Sequence, residues 1–149
     1  TPQEKRFGVQ IDSLSDLICF GVLPGVTVYA AARGALYAAL AAGLYVLAAL
    51  IRLAWFNVDE EERQDADNGQ REMYLGLPVT TAALFLPTVL GLARLLHGPL
   101  PILGTALLVV MALAFLVPFK LAKPRLPGMI LMILMGCAEL VVVFLGVKP

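Results

Sequence analysis

The sequence predicts an all-α, polytopic integral membrane protein, a helical bundle with about five transmembrane helices. Of its 149 residues, 60% are hydrophobic and only 15% are charged, whereas soluble domains are about half apolar and about a quarter charged. The mean hydropathy is +0.86. Five apolar stretches reach the roughly 20 residues that a helix needs to cross the hydrocarbon core. We therefore expect residues 1–149 to form a single membrane domain.

Turn-forming residues separate the five apolar stretches. We place the stretches, in chain order, at 9–31, 34–56, 76–97, 99–119 and 127–147. Arg33-Gly34 and Gly98-Pro99 are tight turns, and residues 120–127 form a basic turn interrupted by proline. Within the first stretch, Pro24 lies between two nearby glycines and is expected to bend the helix.

One predicted loop is long and strongly polar. Residues 57–75 contain the acidic run Asp59-Glu60-Glu61-Glu62 and have no periodic apolar pattern. This composition is typical of a solvated charged loop, and a cation-binding role is the less common alternative.

The basic residues predict the orientation of the spans. With five spans and the amino end in the cytoplasm, eight of the eleven Lys and Arg residues lie on the cytoplasmic side, which agrees with the positive-inside rule. The same eleven residues form no basic stripe and the formal net charge is zero, so nucleic acid is not expected as a partner. We expect a multi-pass protein of the cell membrane whose active site faces the cytoplasm.

Two aspartates at the start of the first span form the candidate site. Gly8, Asp12 and Asp16 recur every four residues, so they share one helical face. Carboxylates beside a hydrocarbon segment are costly without a partner, and their oxygen atoms suit Mg²⁺ or Mn²⁺. A carboxylate can also accept a proton from an attacking hydroxyl. The alternative is that either aspartate caps the helix start.

Three ordered blocks carry a resemblance to a known family. The pattern G-x-x-x-D-x-x-x-D at Gly8, Asp12 and Asp16 resembles the second half of the signature of CDP-alcohol phosphatidyltransferases. The stretch 7–24 is similar to the phosphatidylserine synthase branch, as are Arg52-Leu53-Ala54-Trp55-Phe56-Asn57, similar to R-L-A-R-F-N, and Gly76-Leu77-Pro78. Trp55 is a departure, because a basic residue is common at that position.

The resemblance implies a reaction and a role for each residue. A phosphatidyl group would pass from CDP-diacylglycerol to the hydroxyl of L-serine, giving phosphatidylserine and CMP. Asp12 and Asp16 would be metal ligands for Mg²⁺ or Mn²⁺, and Asp16 would also be the catalytic base. The family resemblance further suggests a homodimer in contact with membrane lipid.

The first half of the family signature, D-x-x-D-G-x-x-A-R, has no counterpart in these residues. The resemblance implies that metal ligands come from both halves. We therefore expect the chain to be the carboxy-terminal part of a longer enzyme, and to be inactive alone.

Four further residues are candidates for substrate binding. Gly8 leaves backbone room beside the carboxylates, and Ser13 could donate to phosphate, although hydroxyls in membrane helices commonly bond to their own backbone. Arg52 could bind a phosphate or the serine carboxylate, or could extend its charge to the interface. Asn57 could bind substrate or cap the end of its helix.

Other functions stay open at this point. A sister transferase would use glycerol phosphate or inositol phosphate as the acceptor, but those branches do not usually show the second and third blocks. A cation transporter would need carboxylates along a path across the membrane, whereas Asp12 and Asp16 lie at one side and Glu139 is isolated. A noncatalytic membrane scaffold is the remaining alternative.

Overall fold

A computed structural model describes residues 1–65, 73–118, 120–122, 134, 136 and 137. Helices account for most of this part of the chain. In order they are α1 (Pro2–Asp16), a π-helical segment (Leu17–Val22), α2 (Leu23–Ala31), α3 (Leu36–Asp65), a 3-10 turn (Val79–Thr81), α4 (Ala82–Leu95) and α5 (Leu100–Leu116). Two three-residue strands, β1 (Met73–Leu75) and β2 (Lys120–Ala122), pair antiparallel with Tyr74 opposite Leu121.

α1, the π segment and α2 follow one another without a break, so residues 2–31 run as one long helix that packs antiparallel against α3. The turn between them uses positive φ angles at Arg33 (53°) and Gly34 (77°), a conformation that favours glycine. Close approach of the two helices depends on small residues. A Cβ atom added to Gly25 would lie 3.3 Å from the Cβ of Ala42, so a larger side chain at Gly25 would push α3 away.

The core lies where α4 and α5 cover this helical hairpin. Gly104 of α5 packs against α2 and α4, since a Cβ atom there would lie 3.2 Å from both Val28 Cγ2 and Leu90 Cδ2. The rings of Tyr45 and Phe115 meet with centroids 5.6 Å apart in a tilted arrangement. The buried cluster consists of Val28, Tyr45, Ala48, Ala49, Val79, Ala82, Leu86, Leu108, Met111, Ala112 and Phe115.

Two of the described helices are long and apolar enough to cross a membrane, Gln3–Ala31 and Leu36–Glu62. The apolar helices Val79–Leu95 and Leu100–Leu116 are shorter. Among the described residues no polar or charged side chain is buried in the core, and many large apolar side chains, such as Phe7 and Leu40, face outward. These surfaces are compatible with a lipid environment. The predicted fifth span, 127–147, lies outside the described residues apart from positions 134, 136 and 137.

The all-α class is confirmed, since helices make up nearly all of the described structure, although the sequence did not predict the short pair β1 and β2, in which two three-residue segments satisfy each other's backbone groups. One sequence prediction needs correction. The predicted loop 57–75 begins too early, because α3 continues as far as Asp65. Glutamate is a good helix former, so Glu60, Glu61 and Glu62 extend the helix instead of ending it.

Candidate functional site

The candidate metal-binding face lies on α1. Gly8, Asp12 and Asp16 are spaced by one helical turn, and all three lie in the described helix. Asp12 is exposed and Asp16 is half-buried. Among the described residues, no heavy atom beyond the neighbouring backbone of α1 comes within 4 Å of a Cβ atom added to Gly8. Two like charges on successive turns repel each other, so this open face is suited to a bound cation.

Ser13 and Asn57 hold this part of α1 against α3. The Asn57 Nδ2 donates to Ser13 Oγ at 2.8 Å, and the Ser13 hydroxyl donates to Asn57 Oδ1 at 3.1 Å. Asn57 lies well inside α3, so the alternative that it caps the end of its helix is wrong. The two predicted substrate-binding residues therefore contact each other. Ser13 is next to Asp12 in the sequence and one turn from Asp16.

A second polar contact joins the same two helices further from the core. Arg6 Nη2 lies 3.5 Å from Glu61 Oε1, and both side chains are mostly exposed. An exposed ion pair adds little stability. The ion pair is informative about geometry, because it shows that the first turns of α1 lie beside the part of α3 that comes after Asn57.

Arg52 holds a turn of the backbone. Its Nε donates to the Leu77 carbonyl at 3.0 Å and its Nη2 donates to the Gly76 carbonyl at 3.2 Å. Gly76 has a φ of 79°, and a Cβ atom there would lie 3.2 Å from the Val117 carbonyl oxygen and 3.3 Å from Arg52 Cζ. The second and third sequence blocks thus meet in space, and glycine is required where they meet.

A cavity of about 400 Å³ adjoins Arg52. It is lined by Ile51, Arg52, Trp55, Phe56, Asp59, Phe115, Leu116, Val117 and Pro118. Asn57 is about 140° around α3 from Arg52 at about 100° per residue, so the cavity and the Ser13–Asn57 pair lie on different faces of that helix. The structure therefore separates the predicted site residues into two groups, with Arg52 outside the group around Asp12 and Asp16.

The donor set fits a divalent cation in part. In the portion of the chain that the structure describes, no three His, Cys, Asp or Glu side chains converge. Two carboxylates remain, and Mg²⁺ is commonly held by one or two carboxylates together with substrate phosphates and water. Asp12 and Asp16 are therefore suitable ligands for a cation shared with a phosphate-bearing substrate.

Sequence reasoning missed two residues near these sites. Asp59 was assigned to a solvated loop, but it lines the cavity two turns after Arg52 on the continued helix. Tyr45 belongs to a repeat of tyrosines for which the sequence predicts only a packing or interface role, yet its hydroxyl donates to the Phe20 carbonyl at 2.5 Å. The sequence feature that could have indicated this bond is Pro24, because a proline has no N–H to donate to the carbonyl of Phe20, four residues before it.

Comparison with known proteins adds independent information. No protein-family model matches the chain. The chain is 36% identical over 87 residues to the CDP-diacylglycerol–serine O-phosphatidyltransferase of Saccharomyces cerevisiae, covering 58% of this chain and 30% of that protein. It is 33% identical over 124 residues to the archaetidylserine synthase of Methanothermobacter thermautotrophicus, covering 83% of this chain and 47% of that protein.

A third relative has the same name as the yeast protein. The CDP-diacylglycerol–serine O-phosphatidyltransferase of Mycobacterium leprae is 36% identical over 94 residues, covering 62% of this chain and 30% of that protein. The matched region spans less than half the length of each of these three relatives. These similarities confirm the resemblance to the phosphatidylserine synthase branch of the CDP-alcohol phosphatidyltransferases.

Proposed function

We propose that this chain is part of a membrane-bound enzyme that transfers a phosphatidyl group from CDP-diacylglycerol to L-serine, giving phosphatidylserine and releasing CMP. One observation carries the proposal: the face formed by Gly8, Asp12 and Asp16 occurs in a chain whose relatives are named as serine transferases. The name archaetidylserine synthase also contains serine. Serine as acceptor is therefore better supported than glycerol phosphate or inositol phosphate.

Asp12 and Asp16 would hold the divalent cation, Mg²⁺ or Mn²⁺. A cation bound there would neutralise charge on the pyrophosphate of the nucleotide lipid. The open space beside Gly8 supports its proposed role, because it leaves room for a bulky phosphate group next to both carboxylates. The remaining ligands would come from residues beyond this set, as expected if the chain is the carboxy-terminal part of a longer enzyme.

Asp16 is the proposed catalytic base. In the reaction the serine hydroxyl oxygen forms a new bond to the phosphatidyl phosphorus, the bond to CMP breaks, and the hydroxyl proton passes to the Asp16 carboxylate. General bases of this kind contribute about 10²- to 10⁴-fold to a rate. Asp16 is half-buried whereas Asp12 is exposed, which favours Asp16 for this role, since water competes less for a partly buried carboxylate.

Ser13 and Asn57 are proposed to bind substrate at the edge of this face. Their mutual hydrogen bonds orient both side chains, and an asparagine amide has a second N–H with which it can donate to a phosphate oxygen. Arg52 stays a proposed anion ligand, but its hydrogen bonds to Gly76 and Leu77 support a structural role at least as well.

The membrane location, the topology and the oligomeric state of the enzyme are also part of the proposal. Two helices of sufficient length and apolar character support a place in the cell membrane. Multiple passes, a cytoplasmic active site and a homodimer are proposed from the charge distribution and the family resemblance.

The test is a transfer assay with the full-length protein in membranes. Labelled L-serine, CDP-diacylglycerol and Mn²⁺ are supplied, and labelled lipid and released CMP are measured. We expect equal amounts of both products, and loss of both when the metal is chelated. Labelling with glycerol phosphate or inositol phosphate but not serine would contradict the proposal. Absence of transfer to every acceptor would favour a scaffold or a transporter.

An archaetidyl group is a second candidate for the lipid group that the donor carries. The archaetidylserine synthase matches the largest share of this chain among the three relatives described. The same assay with an archaetidyl donor in place of CDP-diacylglycerol distinguishes the two. A clear preference for the archaetidyl donor would keep serine as the acceptor and change the lipid class.

A further inference from the structure

The helix that carries Asp12 and Asp16 changes its winding just after them. Leu17–Val22 is π-helical, between α1 and α2, and Pro24 follows in the first turn of α2. Proline has no N–H, so in an α-helix Pro24 would leave the Phe20 carbonyl without its usual donor. The Tyr45 hydroxyl of α3 donates to that carbonyl at 2.5 Å. Tyr45 is fully buried, so this bond lies inside the bundle.

The π segment determines which way the two carboxylates face. A π-helical turn accommodates an extra residue, which rotates the preceding helix by about 100° relative to the following one. In an unbroken α-helix Asp16 would lie about 120° from the core residue Val28, and the extra residue reduces this angle to about 20°. For Asp12 the same calculation changes about 160° to about 60°.

Side-chain burial agrees with this rotation. Val28 is completely buried, and Ser13 and Asp16 are half-buried although they lie several turns before it. Ser13 also reaches Asn57 of α3. Without the extra residue, Ser13 would lie about 60° from Val28 on the opposite side, in place of about 40°, and Asp16 would lie about 120° from Val28 and face outward. The bundle-facing position of Asp16 therefore depends on the π segment, which also rotates Ser13 by about 100° relative to α3.

We propose that Tyr45 is a positioning residue for Asp12 and Asp16, because its hydrogen bond to Phe20 holds the π segment that turns both carboxylates toward the bundle. This inference rests on the proposed function for its catalytic consequence. Tyr45 acts through the backbone of another helix and touches neither carboxylate. Its ring packing against Phe115 is separate from this role, so the hydroxyl can be removed without removing the ring.

The test compares Tyr45→Phe with the double variant Tyr45→Phe/Pro24→Ala in the full-length protein. Tyr45→Phe removes only the hydroxyl. Pro24→Ala supplies a backbone N–H to Phe20, so the double variant can form ordinary α-helix through this region. Tyr37→Phe is the matched control, because Tyr37 lies on the same helix and is half-exposed.

Two readouts separate positioning from stability. The first is cross-linking between Ser13→Cys and Asn57→Cys, with Cys19 and Cys137 replaced by serine, which reports the rotation of α1 without any need for activity. The second is serine transfer at graded Mn²⁺ concentrations. Thermal unfolding in detergent is measured for each variant beside both readouts.

We expect Tyr45→Phe to lose most of the cross-link and to lower kcat by about 10- to 100-fold, as small displacements of catalytic groups can, with a higher Mn²⁺ requirement. In the double variant we expect thermal stability to recover while cross-linking and kcat stay low. Tyr37→Phe should match the parent protein in every measurement.

Two results would overturn the proposal. The first is that Tyr45→Phe leaves the cross-linking and the Mn²⁺ requirement unchanged. The second is that the double variant recovers activity together with stability, because that result would show that Tyr45 has a purely structural role. If the parent protein transfers nothing to serine, the proposed function fails, but the cross-link still tests whether Tyr45 controls the direction of α1.

Discussion

At the scale of single residues, the two aspartates of α1 occupy different environments although they lie one turn apart. Asp12 is exposed, and Asp16 is half-buried near the contact between Ser13 and Asn57. The spacing predicted that they share a face, and the helix confirms that spacing. Their difference in burial was not visible in the spacing.

Replacement of Asp16 tests its proposed double role. We expect Asp16→Asn to lower serine transfer by at least about 10²-fold, because the amide cannot accept the hydroxyl proton and is a weaker metal ligand. Asp12→Asn should act mainly by raising the Mn²⁺ concentration required. Glu62→Gln, an exposed carboxylate on α3, is the matched control and should leave transfer unchanged. Full activity of Asp16→Asn would exclude it as the base.

The Ser13–Asn57 contact can be measured as a pair. Each variant, Ser13→Ala and Asn57→Ala, should lower the free energy of unfolding by about 1 kcal/mol, which is typical of a hydrogen bond in a partly buried place. The double variant should cost less than the sum of the two, because both remove the same interaction. Unfolding in detergent measures all three, and strictly additive effects would show that the pair does not couple α1 to α3.

At the scale of elements, the connection between α3 and α4 returns to the bundle at a defined point. Arg52 binds the carbonyls of Gly76 and Leu77, and the chain then enters the 3-10 turn and α4. Because Gly76 has positive φ and lies against Arg52 and Val117, the turn tolerates no side chain there. The two sequence blocks that resemble the serine branch therefore stabilise each other.

Substitution of Gly76 should be costly. We expect Gly76→Ala to destabilise the protein by at least about 1–2 kcal/mol, the cost of placing a Cβ atom in a left-handed conformation, with crowding against Val117 in addition. Gly43→Ala is the matched control, because in the part of the chain that the structure describes a Cβ atom at Gly43 meets no neighbouring atom within 4 Å. In a helix interior that change should stabilise by about 0.5–1 kcal/mol. Equal effects of the two variants would contradict the requirement for glycine at the turn.

At the scale of the whole molecule, the long hairpin brings the amino end of α1 and the carboxyl end of α3 to the same side. Contacts from Gly25–Ala42 through Ser13–Asn57 to Arg6–Glu61 follow this antiparallel course. If both helices cross the membrane, the candidate site lies at one membrane face and the Arg33-Gly34 turn lies at the other.

Cysteine labelling tests this arrangement. In the background with Cys19 and Cys137 replaced, Glu4→Cys and Glu62→Cys should react with an impermeant maleimide from the cytoplasmic side only. Leu36→Cys, at the exposed start of α3, should react from the opposite side only. Labelling of all three from the same side would show that the hairpin does not span the membrane.

Much of this fold was predictable because its cause is local. Helical regions follow from long apolar runs, and the Arg33-Gly34 turn follows from the backbone freedom of glycine. The carboxyl end of α3 was less predictable, since acidic residues suit both a solvated loop and the exposed end of a helix. The pairing of β1 with β2 joins segments far apart in the chain, so no local pattern indicated it.

The sequence by itself determined the apolar helices, the face shared by Gly8, Asp12 and Asp16, and the resemblance to the phosphatidylserine synthase branch, because spacing and composition act over a few turns of one helix. Tertiary structure decided that Ser13 meets Asn57, that Arg52 binds the turn at Gly76, and that the π segment directs the two aspartates toward the bundle. These features depend on contacts between helices. Small residues such as Gly25 set how closely the helices pack. The Tyr45 hydroxyl adds a hydrogen bond to the Phe20 carbonyl, to which Pro24 cannot donate.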